Sequence, residues 1–109
     1  MVSKTTLVGN VGDAPEIKTI ANGLKLAIFS LATSEIYKDT DGNKKTDTEW
    51  HNIVIWGKLA DIVEKYVTKG SLLYLEGKLK TQSWDKDGVR HYKTSVVCNE
   101  MKMLSKKES

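Results

Sequence analysis

A chain of 109 residues with one cysteine, one proline and two histidines has given up several kinds of chemistry. Cys98 stands alone, so no internal disulfide is possible, which suits a reducing cytosol. His51, His91 and that single thiol are too few for a zinc site or a Cys-His nucleophile. Neither enzymatic activity nor a bound metal or cofactor is expected. No apolar run approaches the ~18 residues of a membrane span, and the opening MVSKTTLVGN has no signal-peptide stretch. A soluble, cytoplasmic protein without a membrane partner is expected. Charge of one sign is also scarce. Lys and Arg number 17 against 14 acids, a net +3, which permits a polyanionic partner without predicting one.

What is present describes an ordinary globular domain: 39% hydrophobic and 28% charged residues, in a length that supports one core and not two. Residues 1–104 read as that domain, and 105–109 as a short disordered end. Lys4 to Val11 reads as a strand, broken by Gly12-Asp13-Ala14-Pro15. Glu16 to Ile20 alternates polar and apolar, and Ala21-Asn22-Gly23 supplies a turn. Leu24 to Thr33 is apolar on both parities, the pattern of a strand covered on both faces. Tyr37 to Asp47 is polar and reads as a long hairpin tip. Its DTDGN cluster is not a calcium loop, because the glycine comes at the fourth position instead of the sixth and Trp50 fills the slot of the bidentate Glu.

After the next strand, which ends at Trp56, the period becomes helical. Leu59, Ile62, Val63, Tyr66 and Val67 recur on one face, Asp61 and Lys65 stand at i,i+4, and Lys69-Gly70 closes the last turn. Ser71 to Trp84 returns to period two, predicting Leu73, Leu75, Gly77 and Leu79 inward with Leu72, Tyr74, Glu76 and Lys78 outward. Asp85 to Gly88 forms another tip and Val89 to Leu104 the last strand, on which Cys98 reads as a small buried hydrophobe. Three strands, a helix and two strands make an all-β chain in the order of a five-stranded Greek-key OB-fold barrel, with one α-helix between strands 3 and 4. Such barrels bind oligonucleotides or oligosaccharides on one face.

The aromatics carry the functional question. In TEWHNIVIWGKLAD, Trp50, Asn52, Val54 and Trp56 share one face of a strand, and His51, Ile53 and Ile55 the other. The isoleucines satisfy the core, which leaves two indoles outside. Trp84 and Tyr37 sit beside hairpin tips flanked by charge. These aromatics either cap the barrel and fill an oligomer contact, or form a platform on which bases stack. The outward row Leu72, Tyr74, Glu76 and Lys78 suits an isologous contact between copies of the chain.

The stretches LVGNVGDAPEIK at 7–18, LATSE at 31–35, TEWHNIVIWGKLA at 48–60, KGSLLYLEGKLKTQSW at 69–84 and the closing MKML resemble the bacterial single-stranded DNA-binding protein family along almost the whole chain. The resemblance implies a nucleoid-associated homotetramer that protects and organises single-stranded DNA in replication, recombination and repair. It puts base stacking on Tyr37, Trp50, Trp56 and Trp84, and the basic DNA path on Lys4, Lys18, Lys38, Lys58, Lys69 and Lys80. It also implies dimers through the first strand and around His51, paired across the Tyr74 row. Three departures stand out. Tyr37 replaces a more usual tryptophan, Asn52 stands where a basic residue often sits, and the chain stops at SKKES with no acidic tip. Replication and repair partners recruited through such a tail are therefore not expected. An OB-fold RNA-binding or protein-interaction module is the alternative.

Overall fold

The strands run longer than their apolar stretches. A computed structural model describes residues 4–104, and the end expected to be disordered, 105–109, lies outside the described residues. The elements are β1 (Thr5–Val11), β2 (Glu16–Thr19), β3 (Lys25–Lys38), β4 (Lys44–Trp56), α1 (Lys58–Tyr66), β5 (Leu72–Lys86) and β6 (Val89–Met103). β1 pairs antiparallel with β5 (Leu7 opposite Leu75), β5 with β6, and β3 with β4; β6 lies parallel to β4 at Ile53 and Val96. β3 returns to β1 at Asn10 and Ala32, which closes the ring. β2 pairs with β3 beyond the break at 12–15, so β1 and β2 are two halves of one bent strand. Counted that way, this is the expected five-stranded barrel with its helix between the third and fourth strands.

The interior is filled by inward residues from the strands. Leu31, Ile53, Ile55, Leu73 and Leu75 are fully buried, with Val63 reaching in from the helix. α1 presents a narrower face than the periodicity predicts. Ala60, Val63 and Val67 are buried at i, i+3 and i+7, whereas Ile62 and Tyr66 are 42% and 52% exposed. The helix lies across the barrel against β3, β4 and β6, and only one stripe of it meets them. It also ends at Tyr66, with Val67 already extended. Asp61 bonds away from its helix, to Lys25 Nζ of β3 at 3.3 Å, and Glu64 holds the same ammonium at 2.6 Å. The ion pair within the helix predicted for Asp61 and Lys65 gives way to a tie between helix and sheet.

Three further expectations are corrected. Leu79 is 56% exposed, because the barrel wall ends near Gly77 and the strand continues as a free ribbon. Leu24 to Thr33 is covered on one face only: Ala27, Phe29 and Leu31 are buried, while Leu26 and Ile28 are half-buried and Leu24 is exposed. The tip at 37–47 shrinks to residues 39–43, where the Asp39 carboxylate accepts the amides of Asp41 (3.0 Å) and Asn43 (2.9 Å). The polar residues on either side pair as strands out to Lys38 and Lys44. A ribbon wet on both faces has no hydrophobic alternation to announce it.

At the other tip Asp87 (φ 52°) and Gly88 (φ 78°) are both left-handed, as a two-residue hairpin turn requires. The register of β5 and β6 shifts between Glu76 and Gly77, where pairing passes from Glu100 to Cys98. A β-carbon on Gly77 would stand 2.2 Å from the Val97 carbonyl oxygen, so the strands meet this closely only because the side chain is absent.

Candidate nucleic-acid interface

Because Ile53 and Ile55 fill the interior, alternation turns Trp50, Asn52, Val54 and Trp56 outward. Trp50 is 62% and Trp56 44% exposed, and the two lie ~20 Å apart along the strand. The same outer face continues onto β3, where Leu26, Ile28, Ser30 and Ala32 stand opposite Trp56, Val54, Asn52 and Trp50. From the other side β6 contributes Lys93 and Ser95, and β5 contributes Lys80 and Gln82. A groove of about 260 Å³ results, floored by Leu26, Ile28 and Val54, with Trp56 along it and Gln82 and Lys93 at its rim. Trp84 shares its parity with Lys80 and Gln82. Its indole stacks on His91 of β6, ring centres 5.7 Å apart and planes 18° from parallel. Trp50 sits over Gly12, where a β-carbon would approach its Cζ3 to 2.5 Å.

Tyr37 is half exposed but stands opposite Lys45, on the other parity of the β3–β4 ribbon from Trp50. It does not join the tryptophan face. Of the six lysines, Lys80 lines a smaller pocket that shares Val54, Trp56 and Gln82 with the groove, and Lys18 lies opposite Leu26 on the same face. Lys38 is at the base of the 39–43 tip, Lys58 opens α1 and Lys69 lies in the turn before β5, all exposed. The Lys4 ammonium is 2.7 Å from the Glu76 carboxylate on the outward row of β5, and that partner raises its pKa. Sequence reasoning missed Lys93, Gln82 and Ser95. Gln82 and Lys93 are cross-strand partners, so extending the parity of Trp84 and Lys80 across the hairpin would have found them.

The outward row on β5 is half-buried at Leu72, Tyr74 and Glu76 and exposed at Lys78. Glu76, its side chain only 13% exposed, hydrogen-bonds Glu100, Lys4 and Tyr74. These bonds pull its pKa down to about 2, while Glu100, facing the same charge, is pushed up. His51 is half-buried, its Nε2 3.0 Å from the Thr33 hydroxyl. Cys98 is buried and donates to the Glu100 carbonyl at 3.0 Å; burial raises its pKa, so the inert-hydrophobe reading holds. Among the described residues no group of three or more His, Cys, Asp and Glu is placed to hold a metal, and no helix is long and apolar enough to cross a membrane.

Flat indoles above an apolar floor, with ammonium groups alongside, provide stacking surfaces for bases and point charges for phosphates. Known proteins align with this arrangement. The model of the "Single-strand binding protein family" matches residues 2–104. Single-stranded DNA-binding protein 1 of Chlorobaculum tepidum is 48% identical over 110 residues, covering 99% of this chain and 68% of the relative. The protein of the same name from Xylella fastidiosa is 42% identical over 109 residues, covering 98% of this chain and 80% of the relative. Among solved structures, that described as Plasmodium falciparum SSB in complex with ssDNA superposes with a TM-score of 0.88 at 33% identity, covering 96% of each chain.

Proposed function

The chain belongs to the single-strand binding protein family, and on that premise we propose that it binds single-stranded DNA with little regard to sequence. Bases stack on Trp50, Trp56 and Trp84, and phosphates are met by Lys18, Lys38, Lys58, Lys69, Lys80 and Lys93. The observation that carries this reading is the outward face of β4. Two largely exposed indoles there share one surface with an apolar groove and lysines from two other strands. A soluble monomer gains nothing from leaving them wet, whereas each base stacked on an aromatic ring contributes ~1–3 kcal/mol whatever its identity. That magnitude belongs to single-strand binders as a class. Tyr37, on the opposite parity, would meet DNA only where the strand passes around the ribbon. Protection of single strands in replication, recombination and repair, in the cytoplasm at the nucleoid, follows from the same premise.

The chain assembles as a homotetramer, with the row Leu72, Tyr74, Glu76 and Lys78 meeting its own copy and a second contact around β1 and His51. Half-burial of three of the four row residues in a lone chain, beside an exposed Val8 across from Tyr74, supports this.

Titration of the intrinsic tryptophan fluorescence with oligo-dT tests the binding reading. Saturable quenching is expected, with Trp50→Ala or Trp56→Ala weakening binding by ~1–3 kcal/mol while circular dichroism is unchanged. Variants that bind as tightly as the parent would refute the platform. Equal affinity for heparin would reduce it to a generic polyanion surface, and a clear preference for oligo-rU would move the assignment to RNA.

A further inference from the structure

Beyond Trp50 the ribbon of β3 and β4 is wet on both sides, yet its two sides differ in charge. Cross-strand partners share a side, and the sides alternate along the chain. Glu35, Tyr37, Lys45, Asp47 and Glu49 lie on the side of His51, which therefore holds all three acids among the paired residues past Trp50. The side of Trp50 continues through Ser34, Ile36 and Lys38 on β3 and Thr48, Thr46 and Lys44 on β4, without an acid. Ile36 is 61% exposed there, as open as Trp50 itself. Lys38 stands directly opposite Lys44, and like charges so placed destabilise a sheet. Neither ammonium has an ion-pair partner among the described residues. Asp39, which follows Lys38, accepts the amides of Asp41 and Asn43 instead. The ribbon of β5 and β6 is sorted in the same way. From Lys80 outward its one paired acid, Asp85, lies on the side away from Trp84, with Arg90 at 3.6 Å.

We infer that on the β3–β4 ribbon single-stranded DNA follows the acid-free side, resting on Ile36 with its phosphates at Lys38 and Lys44, while Tyr37 and Lys45 stay off its path. The inference rests on the single-strand-binding reading above. A polyanion is repelled by the side that holds Glu35, Asp47 and Glu49 and drawn to the side that holds two unpaired ammonium groups. A phosphate between Lys38 and Lys44 also relieves their mutual repulsion, which no group of the chain does. Ile36 lies ~13 Å beyond the level of Trp50 along the strand and on the same surface. A base or sugar resting on it covers an apolar side chain that is otherwise wet. The acid-free sides of the two ribbons meet at the groove beside Trp56, so the strip is continuous with the proposed stacking surface. A second copy of the chain fits this side poorly, because a two-fold contact through Ile36 would set the lysine pair against itself.

The test measures oligo-dT binding by tryptophan fluorescence over a range of salt concentrations, for the parent and two pairs of adjacent variants. Lys44→Gln and Lys45→Gln remove the same charge from neighbouring positions on opposite sides. Lys44→Gln is expected to reduce the slope of log affinity against log salt by about 0.7, one phosphate contact, and Lys45→Gln to leave it at the parent value. At fixed salt Ile36→Ser should weaken binding about threefold, and Tyr37→Ser should bind as the parent does. The reverse order in either pair, equal effects within a pair, or no effect of any variant overturns the inference. If Trp50→Ala weakens binding in that event, the stacking reading still stands. If Trp50→Ala and Trp56→Ala both bind as the parent does, the stacking reading fails and the inference with it. All four positions are exposed, so circular dichroism of the variants should match that of the parent. A lower mass for Ile36→Ser in light scattering would assign this side to contact between copies and overturn the inference as well.

Discussion

The indole of Trp50 on β4 rests directly on the backbone of Gly12, at the bend between β1 and β2, leaving no room for a β-carbon. Gly12 therefore acts as the floor that sets the height of the ring. Gly12→Ala must push the indole outward, and because Trp50 is exposed it has space to go. The expected result is weaker oligo-dT binding with a thermal midpoint close to the parent's. A double-mutant cycle checks the cause. Gly12→Ala should cost little in a Trp50→Ala background, since the ring it displaces is gone; additive losses would show that Gly12 acts elsewhere.

The lysines should separate by location. Counterion release on a single strand gives a slope of log affinity against log salt of ~0.7 per phosphate neutralised. Lys80 lines the small pocket beside Trp56, so Lys80→Gln should reduce the slope by about that much. The charge of Lys4 is already paired with Glu76 at 2.7 Å, so Lys4→Gln should change the slope far less. Equal slopes for both variants would contradict the placement of the DNA path.

Acid should act through Glu76 and Glu100 in opposite directions. The folded pKa of Glu76, about 2, lies below its ordinary 4.5, so its contribution to stability is complete above 4.5 and is lost as pH falls toward 2. Glu100 is raised by facing Glu76, so its charged form costs stability, and acidification relieves that cost first. The thermal midpoint should rise slightly as pH falls from neutral, then drop once Glu76 titrates. Glu100→Gln should abolish the rise, and Glu76→Gln the drop. A midpoint that falls steadily from neutral pH in the parent would refute this order.

Tyr74→Arg should break the proposed tetramer into dimers, because the two-fold axis would bring like charges together at the row. Light scattering at micromolar concentration reads the outcome directly. A parent protein of monomer mass would remove the assembly altogether.

Gly77→Ala should be among the most damaging small substitutions in the sheet. The added carbon meets the backbone of β6, at Val97 and Cys98, and backbone cannot swing aside as a side chain can. A loss of ~1–3 kcal/mol or more in denaturant unfolding is expected. A change within ~0.5 kcal/mol would mean that the register shift at Glu76 and Gly77 adapts freely.

The element order, the five-stranded barrel and the outward indoles were legible in the sequence, because alternation is a local property of an extended backbone. Once Ile53 and Ile55 are inside, Trp50 and Trp56 have no choice but to be out. Which outward or inward parity is covered is a different matter, set by where the barrel closes and how far each ribbon outruns it. Leu79 has the parity of Leu75 but lies past the wall. Tyr37 lies on a polar ribbon whose pairing no hydrophobic pattern announced. Lys4 reads like any other surface lysine until β1 docks on β5 and brings it to Glu76. The groove beside Trp56 likewise exists only because β3, β4, β5 and β6 converge there, joining residues from Leu26 to Ser95 that no spacing along the chain connects. Local alternation decided which way side chains point; long-range register decided what they meet.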